Sequence, residues 1–157
     1  MNEFTYNNCI IETVSQYCYL GIVMRYNGSF NLAISMEKAR TAYFKIKKTV
    51  SLNNPARLIE KLFDCLISPI LLYCSEIWGA CCSLKDSDPF EKLHLKFIKE
   101  TLGVNCKASN DACRAELARL PFRNVIHASC INFLDHIVSS DNTLIYQIYN
   151  ATKTSNP

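Results

Sequence analysis

One stretch organises the sequence: Leu66-Ile67-Ser68-Pro69-Ile70-Leu71-Leu72-Tyr73-Cys74-Ser75-Glu76-Ile77-Trp78-Gly79, the densest apolar run and the position of the only tryptophan. Its apolar residues fall on nearly every side of a helix, which is typical of a helix buried over most of its circumference. Pro69 removes a backbone hydrogen bond, so we expect a kink or a break into two helices. A membrane span is the alternative, but Asp64 flanks the run and Glu76 lies inside it. The run therefore predicts the core of a small α-helical domain.

The composition is that of a globular protein of ordinary size. The chain has 157 residues, of which 49% are hydrophobic and 20% are charged, enough for one domain or slightly more. Only four glycines occur, which disfavours extensive β-structure with tight hairpins. We therefore expect a mainly α fold, in which a short N-terminal β-hairpin is followed by a bundle of about five to six helices.

The chain contains nine cysteines, at positions 9, 18, 65, 74, 81, 82, 106, 113 and 130. They form no CxxC pair and no Cys-His spacing of the kind that binds zinc, and the N-terminus has no signal-peptide pattern. The sequence therefore predicts reduced, mostly buried thiols in an intracellular protein, cytoplasmic or nuclear and not secreted. Metal or redox use is the alternative for Cys81-Cys82 and for Cys106 with Cys113.

Two runs rich in strand-forming residues predict the N-terminal hairpin. Residues 9–14 and 18–24 are these runs, and the polar residues 15–17 lie between them. Asn27-Gly28 then supplies a turn that accepts a positive φ before the first long helix begins.

The first long helix is predicted from Asn31 to about Val50, because apolar residues recur there with helical spacing. Intervals of 4, 3, 4, 3 and 4 place six of them on one face: Leu32, Met36, Ala39, Tyr43, Ile46 and Val50. Five cations, with no acidic residue among them, occupy residues 38–48 of the same helix: Lys38, Arg40, Lys45, Lys47 and Lys48.

Basic residues are concentrated around this helix. Residues 36–61 contain seven basic and two acidic residues, a local net charge of +5, which leaves −2 for the rest of the total of +3. Such an asymmetry points to an anionic partner on one surface. The sequence leaves two explanations open, contact with nucleic-acid phosphates and an ordinary solvated helix face.

Caps and apolar periodicity predict the remaining helices. Asn53-Asn54-Pro55 begins the second helix, and Gly103 ends a third. The third helix is predicted to carry Phe90, Leu93, Phe97, Ile98 and Leu102 inward and Glu91, Lys92, Lys96, Lys99 and Glu100 outward. Each of the three histidines, His94, His127 and His136, is expected at a helix surface or half-buried. Beyond residue 140 the pattern weakens, so residues 141–157 are predicted to be a weakly structured tail.

Short motifs follow one another along most of the chain. They are Tyr19-Leu20-Gly21-Ile22 with the later Gly28, the basic helix, the run from Ser68 to Gly79, His94-Leu95-Lys96-Phe97-Ile98-Lys99 with Leu102-Gly103-Val104, and Glu116-Leu117-Ala118-Arg119-Leu120-Pro121. In this order, over roughly residues 15–138, they resemble the C-terminal part of the reverse transcriptase of non-LTR (LINE-type) retrotransposons. The chain departs from the family's pattern at Cys74 and Ala118, where glycine is expected.

The resemblance implies a different role for each part of the chain. Residues 1–30 would form the end of the palm, where the hairpin at Tyr19, Leu20 and Gly21 supports the primer end. Residues 31–82 would be thumb-like helices that grip the backbone of an RNA or RNA–DNA duplex, and residues 83–140 a helical linker region. The candidate phosphate contacts are Lys38, Arg40, Lys45, Lys47 and Lys48, followed by Arg57 and Lys61. The missing palm region is a further expected partner, and a membrane is not.

The chain lacks the residues that polymerase chemistry requires. That chemistry uses paired aspartates with two metal ions, which would be Mg in the parent polymerase, and no Asp-Asp pair occurs here. No fingers segment, endonuclease or Cys-His knuckle accompanies the motifs. We therefore expect a truncated fragment of an RNA-directed DNA polymerase that is not an enzyme on its own and has no catalytic residue, metal site or cofactor.

Two other classes of function stay open at this point. A stand-alone helical interaction module would use the apolar region Tyr73–Trp78 to bind another protein, and its association would be insensitive to salt. A metal- or redox-dependent cysteine protein is the remaining alternative.

Overall fold

The computed structural model describes residues 4–7, 9–50, 55–81, 85–140 and 143–155. The chain divides into two compact units, Met1–Ile34 and Ser35–Pro157. The described strands are β1 Phe4–Tyr6, β2 Cys9–Ile11, β3 Gln16–Tyr19, β4 Ile22–Arg25 and β5 Phe30–Asn31. The helices are α1 Ala33–Thr49, α2 Ala56–Leu66, α3 Ser68–Leu71, α4 Ser75–Trp78, α5 Pro89–Leu102, α6 Asn110–Glu116, α7 Phe122–Ser139 and α8 Thr143–Ser155, with a 3₁₀ turn at Gly79–Cys81. The predicted mainly α fold with an N-terminal hairpin region is confirmed.

The N-terminal unit contains two small antiparallel sheets, one of β1 and β2 and one in the order β3-β4-β5. Thr5 lies opposite Ile10 in the first sheet, and Cys18 lies opposite Val23 in the second. The predicted pairing of residues 9–14 with residues 18–24 is therefore wrong. The first run pairs with residues 4–6, and the second run is itself divided between two strands.

A two-residue turn explains this error. Leu20 and Gly21 connect β3 to β4, and both have positive φ, 49° and 83°. Two consecutive positive φ values characterise the type I′ turn, whose twist matches that of the strands on either side. Leucine is not a residue that signals this turn, so the polar residues 15–17 were the stronger turn signal in the sequence. The predicted turn at Gly28 is confirmed, with a φ of 77°.

Helix α1 presents the predicted apolar face to the core. Met36, Ala39 and Tyr43 are buried, and Leu32, Ile46 and Val50 are partly buried, so the stripe is confirmed. The helix itself ends at Thr49 and begins at Ala33, where Asn31 Oδ1 accepts a hydrogen bond from the Ala33 N–H at 3.2 Å. An amide side chain at this position satisfies one of the N–H groups left free at a helix start.

The apolar run at residues 66–79 is broken as predicted. Helix α2 ends at Leu66, and α3 begins at Ser68 with Pro69 in its first turn, where a missing N–H breaks no helical hydrogen bond. A second break follows at Cys74, which is left-handed with a φ of 53°. Ile67, Leu71 and Trp78 are each about 1% exposed, which confirms that the run forms part of the core.

Helix α5 lies at the centre of the larger unit. Its Phe97 stacks on Phe63 of α2 with ring centroids 4.0 Å apart, and its His94 stacks on Phe122 of α7 at 4.3 Å. His94 is therefore buried rather than at the surface, which corrects the expectation for this histidine. His127 and His136 are exposed as expected.

Two further expectations are wrong. Residues 143–155 form helix α8, where a weakly structured tail was predicted. Among the seven cysteines whose burial is described, only Cys113 is buried, Cys74 and Cys130 are intermediate, and Cys9, Cys18, Cys65 and Cys106 are exposed. The thiols are thus mostly outside the core, because the fold of each segment rather than residue type sets its burial. Cys82 and the side chain of Cys81 lie outside the described residues.

Candidate nucleic-acid interface

The cations predicted on α1 lie on its solvent-exposed side. Lys38, Arg40, Lys45, Lys47 and Lys48 are all exposed, because burial of the Met36–Tyr43 face fixes the orientation of the helix. Arg57 and Lys61 of α2 are exposed as well. The sequence-predicted basic residues are therefore available to an external anion.

Lys47 differs from the other four cations because it has an intramolecular partner. Its Nζ lies 2.9 Å from Glu100 Oε2 of α5, and the Tyr43 hydroxyl donates a hydrogen bond to the same oxygen. Burial alone would raise the pKa of the Glu100 carboxyl, but the hydrogen bonds from Tyr43 and Lys47 outweigh it and lower that pKa. Glu100 is thus a stable anion that competes with any phosphate for Lys47.

The remaining cations of α1 keep their charge free of such contacts. Within residues 4–7, 9–50, 55–81, 85–140 and 143–155, no salt bridge involves Lys38, Arg40, Lys45 or Lys48. Binding of a phosphate by a surface cation without an ion pair costs little free energy, because no existing ion pair has to be broken.

A groove between α1 and α5 adds cations that the sequence did not assign to the site. It has a volume of 240 Å³ and is lined by Met36, Arg40, Phe44, Pro89, Lys92, Leu93 and Lys96. These described lining residues include three cations and no carboxylate. The Phe44 ring is 47% exposed, and Lys96 Nζ lies 4.9 Å from its centroid.

Lys92 and Lys96 were predicted to point outward but not to contact an anion, because the outward face of α5 has charges of both signs, as an ordinary solvated helix does. The i, i+4 spacing of the two lysines was a signal that they share a face. Only the packing of α5 beside α1 could place that face next to Arg40. The outward prediction is confirmed for Lys92 and Lys96 and is wrong for Glu91, which is completely buried.

Buried Glu91 belongs to a structural ion network on the same helix. Its Oε2 lies 3.2 Å from Arg114 Nη2, and its Oε1 accepts a hydrogen bond from the Arg123 N–H at 3.0 Å. Arg114 also contacts Asp86 at 2.9 Å. Burial would raise the pKa of Glu91, but nearby His94, the Arg123 N–H and Arg114 lower it overall. The network keeps a charged carboxylate inside the core.

The predicted primer-end residues form the tip of a turn in the N-terminal unit. Tyr19 ends β3, Leu20 and Gly21 make the type I′ turn, and the side chains of Tyr19 and Leu20 are exposed. The apolar region of the alternative function is only partly accessible. Tyr73 and Ile77 are half-exposed, but Trp78 is buried and donates its indole N–H to the Tyr73 carbonyl at 2.9 Å.

Comparisons with known proteins leave the family unassigned. No protein-family model, no curated protein and no solved structure matches the chain.

These surfaces are rich in exposed cations. In the described part of the chain, no group of three or more His, Cys, Asp or Glu side chains is placed to hold a metal ion. No helix among the described residues is long and apolar enough to cross a membrane. Among the described residues, the distinctive features are the exposed cations of α1, four of which have no described ion pair, and a small cationic groove beside them.

Proposed function

We propose that α1 and α2 bind the phosphate backbone of RNA or an RNA–DNA duplex, as the thumb of a polymerase does, without catalysis by this chain. The observation that carries the proposal is the exposed set Lys38, Arg40, Lys45 and Lys48, free of described ion pairs on a helix whose other face is buried. The motif order supports a place in the C-terminal part of a non-LTR retrotransposon reverse transcriptase, an RNA-directed DNA polymerase. Its palm would then be a second partner, and Mg the metal of the parent enzyme.

The geometry of α1 suits contact with a backbone rather than with base edges. The helix has 17 residues and is therefore about 25 Å long, enough to follow several phosphates of one strand. Lysine acts as a point charge without the fixed two-pronged geometry that distinguishes bases, so its contacts are insensitive to sequence. Affinity should consequently depend on ionic strength, because each phosphate contact releases condensed counterions.

The test is fluorescence anisotropy of the full chain with a labelled RNA–DNA duplex over a salt series. Lys45→Ala should lower the slope of log affinity against log salt by about one, the value of one phosphate contact. Lys47→Ala is the matched control, because Lys47 is already paired with Glu100, and it should change the slope less. Absence of binding at low salt, by protein shown to be folded by circular dichroism, would overturn the proposal.

The alternative is a protein-interaction module that uses the region Tyr73–Trp78. The observation that favours it is the half-exposure of Tyr73 and Ile77 on the surface above buried Trp78. Association through this region would persist at high salt, because burial of apolar surface releases no counterions. Salt-insensitive association that is lost in Ile77→Ser would therefore favour this module over backbone binding.

A further inference from the structure

We propose that the groove between α1 and α5 holds an unpaired nucleotide at the end of a nucleic-acid strand. Its base would lie against Phe44, and its phosphates would contact Arg40, Lys92 and Lys96. This inference rests on the proposed function and deepens it, because it distinguishes a single-stranded end from the duplex that α1 grips by its backbone. None of Phe44, Lys92 and Lys96 was assigned to the interface by the sequence.

The charge of the groove selects an anion. Arg40 projects from α1, while Lys92 and Lys96 occupy successive turns of α5 on the opposite wall. The described ion pairs give these three cations one acidic partner, Glu100, whose Oε1 lies 3.9 Å from Lys96 Nζ and whose other oxygen accepts hydrogen bonds from Tyr43 and Lys47. The lining itself has three cations and no carboxylate, which makes it a net positive site for phosphate groups.

The floor of the groove selects an apolar, flat group. Met36 and Leu93 are buried beneath it, and Phe44 stands partly exposed in its wall. An exposed aromatic ring beside cations is the combination that single-strand-binding proteins use to stack a base and hold its backbone. Lys96 now lies over the Phe44 ring, and its exposed, flexible side chain can move from the ring to a phosphate when a base arrives.

The size of the groove suits a small flat group such as one base. Its volume of 240 Å³ is below the usual range for a drug-sized ligand. A base inside a duplex has both ring faces covered by its neighbours, so it cannot stack on Phe44. An unpaired base at a strand end has a free face and a backbone that continues outward toward the cations of α1.

The experiment compares two probes, a blunt RNA–DNA duplex and the same duplex with a short single-stranded overhang, by fluorescence anisotropy at one salt concentration. The wild-type chain should bind the overhang probe about tenfold more tightly, the effect of stacking one base. Phe44→Leu should remove this difference, so that the two probes bind with equal affinity. Phe133→Leu, which alters a similarly exposed phenylalanine on α7, is the matched control and should preserve it.

A second variant tests the charge of the groove independently of Phe44. Lys92→Gln changes an exposed side chain, and it should lower the overhang-to-blunt ratio and its salt dependence. If circular dichroism shows that Phe44→Leu is unfolded, Lys92→Gln alone decides the test.

The outcomes separate this inference from the proposed function. Equal wild-type affinity for the two probes, with steep salt dependence for both, would overturn the groove assignment and leave backbone binding intact. Absence of binding to either probe at low salt would overturn the proposed function and the groove with it. Binding to phosphatidylserine vesicles that depends on Phe44, in the absence of an overhang effect, would assign the groove to lipid headgroups and also overturn the inference.

Discussion

Lys47 Nζ of α1 lies 2.9 Å from Glu100 Oε2 of α5, the same oxygen that accepts the hydrogen bond of the Tyr43 hydroxyl. One carboxylate thus connects two helices and forms an ion pair with one of the five cations of α1. The remaining positive charge of that helix is directed outward. This contact therefore joins α1 to α5 and leaves Lys47 less available to an external anion than the other exposed cations of α1.

Replacing Glu100 with glutamine should strengthen binding of an RNA–DNA duplex. The amide has no charge to hold Lys47, which becomes available to a phosphate, so the salt slope should increase by up to about one. Glu37 is an exposed residue of α1, and Glu37→Gln removes the same charge without releasing a lysine, so it serves as the control. Anisotropy titrations that give equal slopes for the two variants would show that Lys47 is not held by Glu100 in solution.

The Glu91–Arg114 pair should dominate the stability of the larger unit. Glu91→Gln removes the fully buried charge beside Arg114, and loss of a hydrogen bond to a buried charged group costs about 1–3 kcal/mol, because Asp86 at 2.9 Å remains a partner of the same guanidinium. Asp111 lies 3.3 Å from the same guanidinium but is exposed, so Asp111→Asn should cost no more than about 1 kcal/mol. Urea unfolding of the two variants measures the difference, and similar midpoints would contradict a buried ion pair.

Acid should destabilise the larger unit through the same network. Hydrogen bonds from Arg114, which outweigh burial, lower the pKa of Asp86, and the pKa of Glu91 is lowered as well. A carboxyl whose pKa is lower in the folded chain stabilises it above the unfolded-state pKa, which is about 4. That stability is lost as the pH falls through the still lower folded-state pKa.

The melting temperature should therefore be steady from neutral pH to about pH 5 and fall steeply below about pH 4. Thermal unfolding followed by circular dichroism between these values measures the profile. Glu91→Gln should start from a lower melting temperature and lose less of it on acidification, because one of the titrating groups is gone. A wild-type profile that is flat down to pH 3 would contradict the role of the network.

Glycine at positions 74 and 118 should stabilise the fold. Cys74 and Ala118 have φ values of 53° and 50°, a conformation that costs a residue with a Cβ about 1–2 kcal/mol. Part of that gain is offset by the greater backbone entropy of glycine in the unfolded chain. Cys74→Gly and Ala118→Gly should each raise the free energy of unfolding by about 0.5–1 kcal/mol, as measured in urea.

A matched glycine substitution in a regular helix should have the opposite effect. Ala115 lies within α6, where glycine costs about 1 kcal/mol relative to alanine. Ala115→Gly should therefore lower the free energy of unfolding. Destabilisation of equal size at positions 74, 115 and 118 would show that the left-handed residues carry no strain.

Local patterns were sufficient where a single segment sets its own structure. The spacing of Met36, Ala39 and Tyr43 predicted which face of α1 is buried, and Pro69 predicted a break in the central run. The glycine expected at Cys74 and Ala118 from the motif order coincides with two left-handed residues. In each case the cause is a property of one or a few neighbouring residues, namely helical periodicity, a missing N–H group or a steric limit on φ.

Tertiary packing decided the features that connect distant segments. Glu91 was expected in solvent because it is charged and lies outside the apolar set predicted to face inward on α5, and it is buried because Arg114 and the Arg123 N–H reach it from other helices. Lys47 and Glu100 are 53 residues apart, and Arg40 and Lys92 line one groove only because α1 packs beside α5. The basic helix could thus be identified from residues 38–48 alone. Which of its cations is paired with a carboxylate, and which groove lies beside it, depend on contacts between helices that local periodicity does not encode.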